Sequence, residues 1–179
     1  MSYGNFGDVK KEVVLVPATP NVKIKVELKM CDENDKNGNL RMWRWFNPTF
    51  TLVDGVDVMG ETKYKGNTIF GDMVCYFADL ATYTERQQLK GPGAYDYVAN
   101  LKKLQHLLDL KMYLTAMGIA DEVEISEEIG ISQLQAAEIS EKIKQYTFLG
   151  DVKQIKDKET EELKNIVVNV KACPMENLV

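Results

Sequence analysis

Basic and aromatic side chains are concentrated in residues 22–65 of this 179-residue chain. The residues in question are Lys23, Lys25, Lys29, Arg41, Trp43, Arg44, Trp45, Phe46, Lys63, Tyr64 and Lys65. Cationic groups neutralise phosphates, and exposed aromatic rings stack on unpaired bases, each stack contributing roughly 1–3 kcal/mol. A surface that combines the two types of side chain is suited to single-stranded nucleic acid, so these residues are candidate DNA-binding residues.

The side chains that enzymes use for catalysis are poorly represented. The single histidine, His106, falls on the predicted solvent-facing stripe of an amphipathic helix, close to Lys102 and Asp109. Phosphate-binding glycine loops and nucleophile elbows are absent from the sequence. The three cysteines are far apart and form no CxxC pair, which favours reduced core residues over structural zinc. We therefore predict that the protein is not an enzyme and that it holds no metal ion and no cofactor.

Composition places the chain among folded globular proteins. Hydrophobic residues make up 45% of the chain and charged residues 27%, with a net charge of −5. These values exclude a disordered chain and a uniformly basic surface. No apolar run approaches the ~18 residues of a membrane span, and the first residues lack the apolar core of a signal peptide. We expect a cytoplasmic protein with no membrane partner.

The excess negative charge lies in one block. Residues 91–150 carry five basic and nine acidic side chains, so four of the five excess negative charges fall there. Residues 119–141 contain seven acidic side chains and no lysine or arginine. This segment supports an alternative function, that of a protein-interaction or assembly module such as a virion component or a host-defence antagonist. Its candidate partner-binding residues are Glu122, Glu124, Glu127 and Glu128.

Hydrophobic periodicity predicts three principal strands, then helices, then two more strands. Residues Val22–Met30 alternate strictly between apolar and polar, which indicates a half-buried strand. Asn37–Gly38 is typical of a hairpin turn, and Gly71 is typical of a bulge or a close backbone approach. The predicted strands are 9–16, 22–30, 40–55, 68–77, 146–156 and 164–173, and the predicted helices are 96–117 and 132–145.

This order of elements is that of the OB fold, a small, partly open barrel of five strands. We interpret the chain as one mainly β domain with a helical insertion between the third and fourth principal strands. The predicted parts are a tail with a short strand at 1–20, the OB-like barrel at 21–78 and 146–174, and the helical insertion at 79–145.

The register between the first two principal strands decides which aromatic residues share a face with the lysines. A two-residue turn at Asn37–Gly38 places Lys29 opposite Phe46, so that Arg44 and Phe46 join the lysines. A bulge reverses the faces and brings Trp43 and Trp45 to the lysine side instead. The residues alone leave both registers open, and the two tryptophans are as well explained by core packing.

Several segments together resemble the OB-fold single-stranded DNA-binding proteins of bacteriophage replication and recombination modules. The resemblance spans residues 21–173 and rests on a strand pair that ends in VDG, a strand after KGN, a leucine-rich helix that ends in AMGI, and a closing hairpin. It implies sequence-independent coating of single-stranded DNA during phage replication, recombination or repair. It also implies the host cytoplasm as location and replication or recombination proteins as partners. The oligomeric state stays open, a homo-oligomer included.

Overall fold

A computed structural model describes residues 14–38, 41, 44–76, 105–125 and 130–174. Eight strands and two α-helices lie within these residues. The strands are β1 (Thr19–Met30), β2 (Arg44–Leu52), β3 (Val56–Val58), β4 (Glu61–Lys63), β5 (Thr68–Phe70), β6 (Val74–Tyr76), β7 (Phe148–Lys156) and β8 (Leu163–Ala172). The helices are α1 (Gln105–Ala116) and α2 (Gln133–Lys142), the latter continued by a 3-10 turn at Ile143–Gln145.

Six of the strands form one antiparallel sheet in the order β5-β2-β1-β7-β8, and β6 also pairs with β2. β5 and β6 line the same edge of β2, as two halves of a strand interrupted at residues 71–73. Gly71 lies at this interruption, where a Cβ would come within 2.8 Å of Phe50 Cε2. The close backbone approach predicted at Gly71 is therefore confirmed.

The structure differs from the predicted barrel in two features. The sheet is not closed, because among the described residues no hydrogen-bonded ladder joins β5 or β6 to β8. The helices follow the sixth strand rather than the third, because the β3–β4 hairpin forms between the predicted strands 40–55 and 68–77, and the predicted strand 68–77 divides into β5 and β6. Helix α1 contacts both β6 and β8 and so lies across the gap between them.

The alternating pattern of β1 produces the two faces of the sheet. Val22, Ile24, Val26 and Leu28 are buried, whereas the residues between them are exposed. The buried side joins apolar side chains from β2 and β7, so one continuous core lies on this inner face. Burying a side chain of this size contributes roughly 1.5–3 kcal/mol, which is enough to fix the direction in which β1 faces.

The N-terminal segment 14–18 is held by side chains of β7 and β8. The backbone N–H of Val16 donates to Asn165 Oδ1 at 2.8 Å, and the carbonyl of Val16 accepts from Asn165 Nδ2 at 2.8 Å and Gln154 Nε2 at 3.0 Å. The Asn165 side-chain amide thus pairs with both the N–H and the carbonyl of Val16, as the backbone of a neighbouring strand would. The strand predicted at 9–16 is not formed in its described part, 14–16, and its first residues lie outside the described ranges.

Both helices pack one face on the core. α1 buries Leu110, Tyr113 and Leu114, and Gly118 with a φ of +72° follows it. Burial is the main cause of the raised pKa of the Tyr113 hydroxyl, with a smaller contribution from the charge of Asp109. Ser132 caps α2 in a reciprocal capping box with Gln135. None of the helices in the described parts of the chain is long and apolar enough to cross a membrane.

Candidate nucleic-acid interface

The outward side of the sheet, opposite the core, carries the three predicted contact lysines of β1 and Trp45 of β2. We call this side the open face; it is formed by alternate residues of β5, β2, β1 and β7 and by Lys171 of β8. From β1 it receives Lys23, Lys25 and Lys29, all exposed. Successive residues on one face of a strand lie about 7 Å apart, so the lysines form a row along β1.

The register of β1 and β2 selects one of the two predicted arrangements. Lys29 pairs with Asn47 and Met30 with Phe46, one residue away from the pairing that a two-residue turn requires. Gly38 does adopt a positive φ of 82°, but β1 ends at Met30 and β2 begins at Arg44, so the turn does not set the ladder. Burial of alternate apolar residues fixes the register instead.

This register removes Arg44 and Phe46 from the lysine face. Phe46 is fully buried and Arg44 is 8% exposed, both on the inner side of β2. Arg44 Nη2 donates to the carbonyl of Cys31 at 2.5 Å, and Arg44 Nε finds no partner among the described residues. The register that placed these two residues beside the lysines is therefore wrong. Trp45 lies half-buried on the open face, and Trp43 falls outside the described ranges.

Arg41 holds the indole of Trp45 at one end of the open face. The guanidinium carbon lies 4.6 Å from the Trp45 ring centroid, within the range of a cation–π contact. Arg41 Nε also donates to the carbonyl of Asp32 at 2.9 Å, which fixes the guanidinium in place. The guanidinium lies over one face of the indole, so this end of the open face carries a stacked cation and aromatic ring, two groups with which single-strand binders hold phosphates and bases.

The lysines differ in how firmly they are held. Lys25 Nζ donates to the carbonyl of Tyr146 at 2.9 Å, and Lys23 Nζ lies 3.8 Å from Asp54 Oδ2 in an exposed ion pair. Lys29 makes no ion pair and no side-chain hydrogen bond within the described part of the chain. Exposed ion pairs contribute little, so Lys23 and Lys29 are the cations most readily available to a phosphate.

The predicted contact residues Lys63, Tyr64 and Lys65 lie near the other end of β1, in the loop that follows β2. Val53 N–H donates to the carbonyl of Lys23 at 3.0 Å, which ties the start of the loop to the row of lysines. Lys63 and Lys65 are exposed, and Lys63 Nζ lies 3.8 Å from Glu61 Oε2. Tyr64 is half-buried against the core, so its ring is a packing group and Lys63 and Lys65 are the loop's contact candidates.

The sequence interpretation missed one aromatic residue. Phe70 of β5 is 77% exposed and lies directly opposite Thr49, a residue of the open face. Directly paired residues share a face, so Phe70 stands on the open face with Trp45. The alternation in Thr68-Ile69-Phe70 could have shown this, because a buried Ile69 requires Phe70 to point outward.

Two further lysines, Lys153 of β7 and Lys171 of β8, extend the basic side of the open face. Lys171 of β8 pairs with Leu149, which in turn pairs with Lys23, and all three line one shallow depression. The pKa of Asp151 is lowered, first by the hydrogen bond from Asn169, then by the Asn21 N–H, and also by the charges of Lys171 and Lys153. The cations therefore gather over β1, β7 and β8, whereas Trp45 and Phe70 stand on β2 and β5.

The structure describes two of the four acidic residues predicted to bind a partner. Glu122 and Glu124 are exposed, and Glu122 Oε2 lies 3.8 Å from Lys142 Nζ. Lys142 directly follows residues 119–141, the stretch without lysine or arginine, and its positive charge offsets part of the negative charge of that stretch. Glu127 and Glu128 lie outside the described ranges.

Among the residues that the structure describes, the open face thus combines five lysines, one arginine and two aromatic side chains. Its acidic groups are Glu27 on β1 and Asp151 on β7. Within the described ranges, no group of three or more histidine, cysteine or acidic side chains is arranged to hold a metal ion. No protein-family model, no curated protein and no solved structure matches the chain.

Proposed function

We propose that the open face binds single-stranded DNA without requiring a defined sequence. The observation that carries the proposal is the placement of Trp45 and Phe70 on the same face as the row Lys23, Lys25 and Lys29. Stacking on an exposed ring needs an unpaired base, and duplex DNA offers none along its length. The surface is therefore matched to a single strand rather than to a duplex.

The strand order supports an OB-like barrel that is open on one side. When the separate β3–β4 hairpin is left out and β5 and β6 are counted as one strand, the main sheet runs third, second, first, fourth, fifth. OB folds bind oligonucleotides on the face of their second and third strands and with nearby loops. Trp45 and Phe70 occupy the corresponding strands here. A role in phage replication, recombination or repair rests on the family resemblance of the sequence.

The charge distribution suggests how a strand would lie. The lysines are on the β1–β7–β8 side and the aromatic rings on the β2–β5 side, so the phosphates would follow β1 and the bases would turn toward β2 and β5. Trp45 and Thr49 are four residues apart on β2, so Trp45 and Phe70 stand about 14 Å apart. Two separate stacking positions of this kind tolerate any base sequence between them.

A fluorescence titration with oligo-dT tests the proposal. Trp43→Phe leaves Trp45 as the single tryptophan, so quenching reports on the open face itself. We expect quenching by oligo-dT and a salt slope of about −3 for four phosphate contacts, which is about a 50-fold loss of affinity between 50 and 200 mM salt. Absence of binding, affinity independent of salt, or equal affinity for a duplex of the same length would contradict the proposal.

The variant Arg44→Met tests whether DNA binds the open face of β2 or its inner side. The variant loses one positive charge from the protein but none from the open face, since Arg44 is buried on the inner side. We expect the oligo-dT dissociation constant to stay within about twofold of wild type. The free energy of unfolding should not fall, because a buried guanidinium with an unpaired Nε is poorly compensated for its lost hydration. A loss of affinity as large as that of Lys29→Met would place Arg44 at the DNA.

A further inference from the structure

Glu27 is an acidic residue in the middle of the lysine row. Its side chain is exposed on the open face, two residues from Lys25 and two from Lys29. Lys25 is directed to the Tyr146 carbonyl, and no ion pair involves Glu27 in the part of the chain that the structure describes. Its charge is therefore not offset by a direct contact with either neighbour.

A carboxylate at this position opposes phosphate binding. At about 7 Å in water, one negative charge weakens the binding of another by about threefold. A surface that only coats DNA would gain from a neutral residue here. The position of Glu27 is better explained by a contact with a base, where a carboxylate accepts hydrogen bonds from amino and imino groups.

The ladder places Glu27 across from one of the two stacking positions. Glu27 pairs with Thr49, and Thr49 pairs with Phe70, so the three residues form one row across β1, β2 and β5. Neighbouring strands lie about 4.8 Å apart, which puts the Cα atoms of Glu27 and Phe70 about 10 Å apart. A base stacked on Phe70 would lie above Thr49, within reach of the Glu27 carboxylate.

We propose that Glu27 accepts a hydrogen bond from the base at the Phe70 position and so biases this position toward bases with an exocyclic amino group. Cytosine and adenine offer one amino donor, and guanine offers an imino and an amino donor side by side. Thymine flanks its single N–H with two carbonyl oxygens, which the carboxylate repels. The bias rests on the proposed function and changes affinity between base compositions without defining a sequence.

The test compares oligo-dC with oligo-dT of equal length at pH 8 and constant salt, for wild type and Glu27→Gln. For wild type we expect oligo-dC to bind about fivefold more tightly, the net value of one typical hydrogen bond. A glutamine amide donates as well as accepts, so the ratio should fall to near one in Glu27→Gln, chiefly because oligo-dT binds about threefold more tightly. Glu162→Gln removes the same charge from the exposed β7–β8 connection and should keep the wild-type ratio.

The ratio of the two affinities distinguishes this inference from the proposed function. A uniform gain for both oligonucleotides in Glu27→Gln, with the ratio unchanged, would show only lost repulsion and would overturn the role of Glu27 while DNA binding stands. Equal wild-type affinity for oligo-dC and oligo-dT would overturn it in the same way. If neither oligonucleotide binds wild type, the proposed function fails and this inference fails with it.

Discussion

Replacing Lys23 and Lys29 by methionine should lower the affinity for oligo-dT about 25-fold at 0.1 M salt. Each lysine that neutralises a phosphate of a single strand contributes about 0.7 to the salt slope, which corresponds to about fivefold in affinity between 1 M and 0.1 M salt. Removing both lysines multiplies the two factors, and the slope should become about 1.4 less steep. The measurement is the oligo-dT titration repeated at four or five salt concentrations.

The matched control removes two lysines from other surfaces. Lys111 on α1 and Lys144 in the 3-10 turn are exposed and lie off the open face. The double variant Lys111→Met, Lys144→Met has the same net charge as Lys23→Met, Lys29→Met, so any effect of total charge is equal in the two proteins. We expect less than a twofold change for the control, because neither lysine belongs to the strands of the open face and salt screens exposed charges that make no phosphate contact. Equal losses of affinity in the two variants would show that net charge, not the open face, governs binding.

Methionine is chosen so that the comparison reports on DNA binding rather than on folding. The Lys23–Asp54 pair is exposed on both sides and joined at 3.8 Å, so its loss should change the free energy of unfolding by less than about 1 kcal/mol. Lys25 is left in place because its ammonium group holds the Tyr146 carbonyl and therefore has a structural role. Unchanged thermal melting of the variants is the necessary companion measurement.

The positions of the strands could be predicted from the sequence more reliably than the side chains of β2 that face the core. The alternation in Val22–Met30 specifies both the strand and its buried side, because every apolar residue from Val22 to Leu28 coincides with the inner face. β2 offers no such alternation, since Trp45 and Phe46 are adjacent and both aromatic. A slip of one residue exchanges their faces, and the Asn37–Gly38 turn is too far from the ladder to prevent it.

The way segment 14–18 is held against the sheet could not be predicted from the sequence, for a different physical reason. The contact between Val16 and Asn165 joins residues 149 positions apart, and it uses a side-chain amide in place of a strand ladder. No local pattern encodes such a pairing. Arg44 illustrates the same limit, since an arginine in a strand predicts exposure and its burial here depends on the Cys31 carbonyl.

Phe70→Ala should lower the affinity for oligo-dT by about 5- to 150-fold, and its salt slope should stay unchanged. Removing one stacking ring costs roughly 1–3 kcal/mol, and no cation is removed. Phe70 is 77% exposed, so the substitution removes little buried area and the melting temperature should stay close to that of wild type. The readout is the same titration, with Trp45 fluorescence as the signal.

Leu134→Ala is the matched control for an exposed apolar side chain. Leu134 lies on α2, is 70% exposed and is outside the strands that form the open face, so we expect wild-type affinity. Phe70→Leu keeps the apolar bulk but not the flat ring, and it should lose nearly as much affinity as Phe70→Ala if stacking is the cause. Full affinity in Phe70→Leu would mean that the base is held by apolar packing and not by stacking.

Combining Phe70→Ala with Lys29→Met tests whether bases and phosphates are held independently. Phe70 pairs with Thr49 on β2 and Lys29 with Asn47, so the two residues lie in different rows and on strands that are not neighbours. Substitutions at sites without shared partners add in free energy. We therefore expect the fold-losses in affinity to multiply and the salt slope to follow Lys29→Met alone. A double variant no weaker than Phe70→Ala would mean that the phosphate reaches Lys29 only after the base has stacked.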